Sequence, residues 1–374
     1  PPARLSPTPF FTLADTVTPA RECAVPSTCS SQTKGNVFSS PYAKAEHQQS
    51  HSESTFEGSV ADRELGYVHE FFEQNPDLLE PVQNVLRKYG GSNYPRVEAD
   101  TAVFCRRVIK DLRAAAMSAG DVGEQQDIFE DKELEAFYVV DLARPIVQFA
   151  KFKKFLPQVH PFYAMKCNPS EELLAMLSAL GAGFDCASKK EFATILKGGY
   201  AGADQIIFAN PQKIPGELRV AEAVGIRWVT FDCLKEVEKM ANCAPSCQAV
   251  LRIGTDDSAA VCKFSAKFGA EMSETYQLLE TCKKNGVTVV GVSFHVGSGN
   301  SDPQAYINAI RNARIVFDQG ISLGFEMKLL DIGGGWPGSE PKNGPDGKPA
   351  YLNFEEICHH IQPLLEELFA SATI

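Results

Sequence analysis

From residue 136 to the end of the chain, short runs of apolar, β-branched and aromatic residues alternate with amphipathic stretches of about ten to fifteen residues. Strands are read at FYVV (137–140), FYAMK (162–166), GFDCA (183–187), QIIFA (205–209), RWVTF (227–231), AVLRI (249–253), VVGVSFH (289–295) and KLLDI (328–332). Helices are read at 170–179, 188–197, 215–223, 271–285, 303–319 and 354–369. Strand–helix alternation builds βαβ units, and these build a parallel sheet. Setting aside the run at 137–140, seven such units follow in series. Eight would close a (β/α)8 barrel. The pattern therefore predicts an α/β barrel that is incomplete at its C-terminal end, because Ala372-Thr373-Ile374 stands where an eighth strand would begin. Strands one and seven are then expected to be open edges. A doubly wound sheet is less favoured, since no long segment marks a point where the strand order reverses.

The first 135 residues read differently. Residues 1–60 are rich in Ser, Thr and Pro, a composition that predicts a disordered extension. An organelle transit peptide is not favoured, because basic residues are sparse there (Arg4, Arg21, Lys34, Lys44). The chain begins at Pro1 rather than Met, so its native start is expected upstream. Helical spacing appears at Arg63–Phe72 and at Thr101–Ala116, where Phe104, Val108, Leu112 and Ala115 share a face. The acidic stretch 123–135 reads as a solvated connection. The expected organisation is an extension over 1–60, a helical extension over 61–135 and a barrel domain over 136–374.

Composition narrows the function classes. A net charge of −11 argues against nucleic-acid binding, which needs a basic patch. It is compatible with a small cationic substrate, although solubility explains it as well. The eleven cysteines include no zinc-type CxxC pair. Most, including Cys105, Cys186, Cys233, Cys262 and Cys282, sit in apolar patterns and read as buried free thiols in a reducing, cytoplasmic compartment. No apolar run approaches the ~18 residues of a membrane span, and no membrane association is expected. His359 and His360 are adjacent on a helix and face different ways, and no HExxH, Ser-His-Asp or Walker pattern occurs, so no metal site is expected.

Several residues stand where a barrel does chemistry, at the C-terminal ends of strands. Lys166 ends the first barrel strand behind apolar residues, where desolvation would lower its pKa and suit it to Schiff-base formation. A solvated surface lysine is the commoner fate of such a residue. His295 ends VVGVSFH, as a ring to stack on a planar ligand or as a satisfied core histidine. Ser298, within Gly297-Ser298-Gly299, can offer a hydroxyl and nearby amides to a phosphate. In LLDIGGGWPG a buried strand runs into Gly333, Gly334 and Gly335, whose amides can nest an anion and whose lack of Cβ permits close approach. A tight structural turn is the alternative. Asp185 and Arg252 are charges inside apolar strands, paired with each other, with a lysine or with a ligand.

PFYAMKCN, GFDCASKKE, FANPQK, VLRIGTDDSAAVCKFSAKFGA, GVSFHVGSG and LLDIGGGWPGSE together resemble, in order and spacing over 136–372, the eukaryotic-type ornithine decarboxylases, which are fold-type III pyridoxal-phosphate enzymes. The resemblance implies an alanine-racemase-like barrel that decarboxylates L-ornithine to putrescine and CO2. It implies that Lys166 holds pyridoxal 5'-phosphate covalently and that His295 stacks on the pyridine ring. Ser298 and Gly333, Gly334 and Gly335 would bind the phosphate, with Asp185 and Arg252 beside the cofactor. Lys267 would bridge to the partner in a homodimer whose active sites lie at the subunit interface, and antizyme is a further partner the family suggests. The run at 137–140 would join a C-terminal β-sandwich. The segments that supply the carboxylate facing the pyridine nitrogen, the residues lent across the dimer and most of that sandwich are not in this sequence. Residues 1–374 are accordingly expected to be a piece of a longer protein and inactive alone. Trp336 replaces a usual Phe, and 341–350 reads as a Gly/Pro surface insertion. Two alternatives stay open: a non-catalytic paralogue of the antizyme-inhibitor type, and a lysine or arginine decarboxylase.

Overall fold

The computed structural model describes residues 60–90, Arg106, Ile109, Lys110 and 139–374, apart from 264–266, 339–340, 342 and 344–348. The barrel lies in the compact unit of residues 67–95 and 140–374. Helices α1 (Val60–Gln74), α2 (Leu79–Gly90) and α3 (Ala143–Phe155) precede the first strand. Then come β1 (Phe162–Ala164), α4 (Glu171–Ala179), β2 (Gly183–Cys186), α5 (Lys189–Gly198), β3 (Ile206–Phe208), α6 (Pro215–Val224), β4 (Trp228–Phe231), α7 (Leu234–Cys243) and β5 (Gln248–Arg252). The chain continues through β6 (Ala260–Cys262), α8 (Thr275–Lys284), β7 (Thr288–Ser293), β8 (Ser298–Asn300), α9 (Pro303–Ser322), β9 (Leu329–Asp331) and α10 (Phe354–Phe369).

Seven strands form one parallel sheet in the order β1-β2-β3-β4-β5-β7-β9, the series expected of a curling (β/α)8 barrel. Its two edges are not bare at the base. Leu330 N–H donates to Thr373 O at 2.9 Å, Thr373 N–H to Lys328 O at 2.8 Å and His160 N–H to Ile374 O at 2.6 Å. The last two residues thus begin an eighth strand that links β9 to the entry of β1, which corrects the expectation of two open edges. Ile207, Val250, Val290 and Leu329 form a buried cluster contributed by β3, β5, β7 and β9, against which Phe162 and Trp228 pack. Helix ends are set locally. Ser188 Oγ accepts Glu191 N–H at α5, Asp302 caps α9, and Asn353 and Glu356 cap α10 reciprocally.

The structure adds elements the sequence pattern did not separate. α3 buries Ile146, Val147, Phe149 and Ala150 at helical spacing, and Lys151 on the same helix is buried and paired with Glu355 at 2.7 Å. α2 and α7 were likewise not read. β6 and β8 form a two-stranded antiparallel ribbon, pairing Cys262 with Ser298 and Ala260 with Asn300. Val139 and Val140 carry no strand pairing and lead into α3, while Phe137 and Tyr138 lie outside the described residues. Residues 1–59, the acidic connection 123–135 and most of 101–116 also lie outside them. All eight described cysteines are free. Cys186, Cys247, Cys282 and Cys358 are buried, but Cys262 is exposed on the ribbon. Among the described residues, no helix is long and apolar enough to cross a membrane.

One glycine marks how tightly the sheet closes. The register between β5 and β7 shifts at Ala249/Val250, which pair with Val289 and Gly291. A Cβ on Gly291 would run into the Leu329 carbonyl of β9. Gly291→Ala is expected to destabilise the fold by about 1–3 kcal/mol through overpacking, seen as a lower urea midpoint. An unchanged midpoint would show that β7 and β9 have room to part.

Candidate functional site

Parallel strands deliver their C-terminal residues to one face, and that face carries the charges. Asp185 lies on β2 opposite Ala164 of β1. Lys166 occupies the turn just beyond β1, and its Nζ meets Asp185 Oδ2 at 3.3 Å. The lysine side chain is 58% exposed, so the desolvation expected from its apolar strand is not found: the strand ends two residues earlier. Asp185 is the buried member. Burial raises its pKa and Lys166 pulls it back down. Its Oδ1 is shut away from solvent with no hydrogen-bond partner in the protein. A buried acceptor left unmatched is costly in a finished fold, and points to a donor brought by a ligand.

Arg252 ends β5, and its guanidinium lies 5.0 Å from the centre of the Phe268 ring. Burial lowers its pKa, opposed by Asp331, Asp232 and Asp185. Asp331 ends β9. Burial pushes its pKa up to about 6, although one oxygen accepts the Gly333 N–H at 2.8 Å. His295 follows β7, and burial with the nearby Arg252 and Lys166 charges pushes its pKa down to about 4. The ring is therefore neutral at pH 7. Its Nδ1 accepts the Gly297 N–H at 3.0 Å, which assigns the remaining proton to Nε2.

Beside this cluster the glycines shape a hollow. Gly333, Gly335, Gly297 and Gly299 all have positive φ. At Gly335 a Cβ would strike the Gly297 carbonyl, so the two loops can touch only because residue 335 lacks a side chain, while a Cβ on Gly297 would strike β6 at Ala260 and Cys262. A cavity of about 220 Å³ opens there, lined by Ser298, Gly299, Gly335, Trp336, Pro337 and Tyr351. Trp336 anchors its wall: the indole Nε1 donates to Gly333 O at 3.0 Å, and the ring packs against Phe152, Tyr306 and Phe354. Lys166, Asp185, Arg252 and His295 are thus gathered at the strand ends, and Ser298 with Gly333, Gly334 and Gly335 stands in the segments after β7 and β9, where His295 abuts Gly334. Lys267 is not among them. It is exposed, one residue before Phe268. Asp331, Asp232 and Tyr351 were missed. Asp331 carries the same signal as Asp185, a charge within an apolar strand, whereas Tyr351 follows the 341–350 segment and carries no signal.

The model of the pyridoxal-dependent decarboxylases, in their pyridoxal binding domain, matches residues 142–374. The chain belongs to this family. It is 47% identical over 241 residues to the ornithine decarboxylase of Leishmania donovani, covering 64% of this chain and 34% of that protein. It is also 42% identical over 247 residues to antizyme inhibitor 2 of Xenopus laevis, covering 66% and 52%. Among solved structures it resembles the arginine decarboxylase of Paramecium bursaria Chlorella virus, at 32% identity and a TM-score of 0.56, covering 62% of this chain and 61% of that one. The chain spans from a third to a half of the length of these curated relatives. For a pyridoxal-binding domain the residues present fit: an exposed amine, an orphaned carboxylate oxygen, a neutral flat ring and a glycine-walled hollow for an anion.

The buried state of His295 can be checked directly. Following its ring resonances by NMR, with His295→Gln to assign them, should give a titration midpoint near 4. The charged form is the one burial disfavours, so the ring should stay neutral throughout the neutral range. A midpoint at the ordinary 6.5 would show that solvent reaches it.

Proposed function

We propose that the complete protein is a pyridoxal-phosphate-dependent decarboxylase that converts L-ornithine to putrescine and CO2. The observation that carries this reading is the Lys166–Asp185 pair at the barrel mouth, with neutral His295 and the glycine-walled cavity built from the same strand-end loops. Lys166 would supply the amine that holds the cofactor aldehyde, and its exposure leaves the Nζ open to the barrel mouth. Asp185 stabilises the protonated nitrogen at that position. The His295 ring, locked by its bond from Gly297, provides a flat uncharged wall. Ser298 and the loop of Gly333, Gly334 and Gly335 hold the phosphate and so fix the distance to Lys166, the Gly333 N–H itself being given to Asp331. Arg252, braced on Phe268, balances the carboxylates of Asp185 and Asp331. When bound, the cofactor's ring takes up the electron pair left as CO2 departs.

Lys267 is read as a contact to the partner subunit of a homodimer, with the active sites at that interface, and a cytoplasmic location fits the free thiols. Similarity alone does not separate a decarboxylase from an antizyme inhibitor, since both kinds of relative match. Retention of Lys166, Asp185, Arg252, His295 and the glycine triplet favours the enzyme. Borohydride reduction of the cofactor-loaded full-length protein, followed by peptide mapping, is expected to place the label on Lys166 and to find none in Lys166→Ala. Assays with ornithine, lysine and arginine are expected to show ornithine turned over fastest. A label on another lysine overturns the site. Absence of turnover with every one of the three supports the non-catalytic reading.

A further inference from the structure

Lys213 lies in FANPQK, a motif to which no role in the site has been attached. Its side chain and that of Glu236 are both 0% exposed, and they meet at 2.8 Å. A buried ion pair is a poor source of stability, because desolvation offsets its attraction and apolar residues of similar volume often do as well. What the pair fixes is geometry. The Lys213 ammonium donates to Asn210 O in the loop after β3 at 3.1 Å, to Thr230 O on β4, and to Glu236 on α7. All three of its protons are used, each on a different element. The Glu236 carboxylate also accepts the Lys213 backbone N–H, at 3.2 and 3.3 Å, and pairs with Lys239. Lys239 in turn donates to Lys213 O at 2.5 Å.

The network then runs to the active face. Asn210 Nδ2 donates to Ala187 O at 3.2 Å, and Ala209 N–H donates to Cys186 O at 2.9 Å. Ala187 N–H donates to Glu191 at 2.6 Å. Ala187 lies two residues beyond Asp185, so this is the segment that sets where the carboxylate meeting Lys166 stands. On the other side of β4, Asp232 accepts Gly269 N–H at 3.1 Å, next to the Phe268 that faces Arg252.

We propose that Lys213 is a positioning residue: with Glu236 and Asn210 it ties the loops after β2, β3 and β4 into one piece and thereby holds Asp185 against Lys166. The proposal rests on the function proposed above. It acts through Asp185 and touches no reacting atom.

Two variants of the full-length protein, loaded with pyridoxal 5'-phosphate, test it. Lys213→Met with Glu236→Gln removes both buried charges while leaving an acceptor for the backbone N–H of residue 213. Asn210→Ala cuts the side-chain link to Ala187 together with the bond that its Oδ1 accepts from the Gln212 N–H within the same loop, at a half-buried position that does not threaten the core. Glu191, Arg252, His295 and Asp331 also bear on Asp185 or Lys166 and are unchanged in both. A carboxylate displaced from Lys166 stabilises the protonated nitrogen less. The pH midpoint of the bound cofactor's visible absorbance should therefore fall in both variants. Turnover should drop by about a hundredfold, the scale of a misplacement near 1 Å, with KM little changed. Melting temperatures should stay near wild type. Wild-type midpoint and turnover in either folded variant overturn the proposal, whatever the melting temperature, and Asn210→Ala decides alone if the double variant does not fold. Failure of the wild-type protein to bind the cofactor at Lys166 would instead overturn the functional reading, and this proposal with it.

Discussion

Every strand of the main sheet runs the same way, and the rest of the molecule follows from that constraint. Parallel pairing sends each chain crossover over the outside as a helix and leaves all the strand C-termini on one face. Lys166, Asp185, Arg252, His295 and Asp331 are far apart in sequence. They meet because each stands at or within two residues of the C-terminal end of a strand in one continuous ladder. The helices are anchored by local chemistry, and the interior is filled by residues such as Ile207, Val250, Val290 and Leu329. The mouth is what remains for polar groups.

Gathering charges there has an electrostatic cost that the protein only partly offsets. Burial raises the pKa of both Asp185 and Asp331, and it lowers those of Arg252 and His295. Each group is held against its own preference for solvent, and Asp185 keeps one oxygen with no partner. Such a cluster is poorly explained as a device for stability, since buried ions rarely contribute much. It is well explained as a preorganised environment for a charged ligand. The glycine-walled hollow beside it has the matching chemistry for an anion, because loops without Cβ atoms bring their amides to the surface.

Much of this was legible in the sequence. All seven barrel strands were readable because each is a short apolar run bounded by polar or glycine residues, and the strand-end charges stood out against that background. What was hidden depends on tertiary contact. The ribbon of β6 and β8 pairs segments of opposite character, and GSG looks like a loop until Cys262 lies beside Ser298. α3 was obscured because Lys151 interrupts its apolar face, yet that lysine is buried against Glu355. The exposure of Lys166 could not be read from its apolar neighbours, since the strand ends before it. Tyr351 reaches the cavity only through the fold of the segment before it. The closure of β9 to β1 by Thr373 and Ile374 is likewise a matter of three-dimensional register, not of composition.

The account claims that the charged mouth and the glycine hollow form one site, built for an aldehyde that also bears a phosphate. Binding of pyridoxal 5'-phosphate and of pyridoxal to the full-length protein, followed by absorbance, separates the two halves. Charge-assisted hydrogen bonds to the phosphate should make the phosphorylated ligand bind more than about tenfold tighter, and Gly335→Val should erase most of that difference. Equal affinity for the two ligands, or a difference untouched by Gly335→Val, would contradict it.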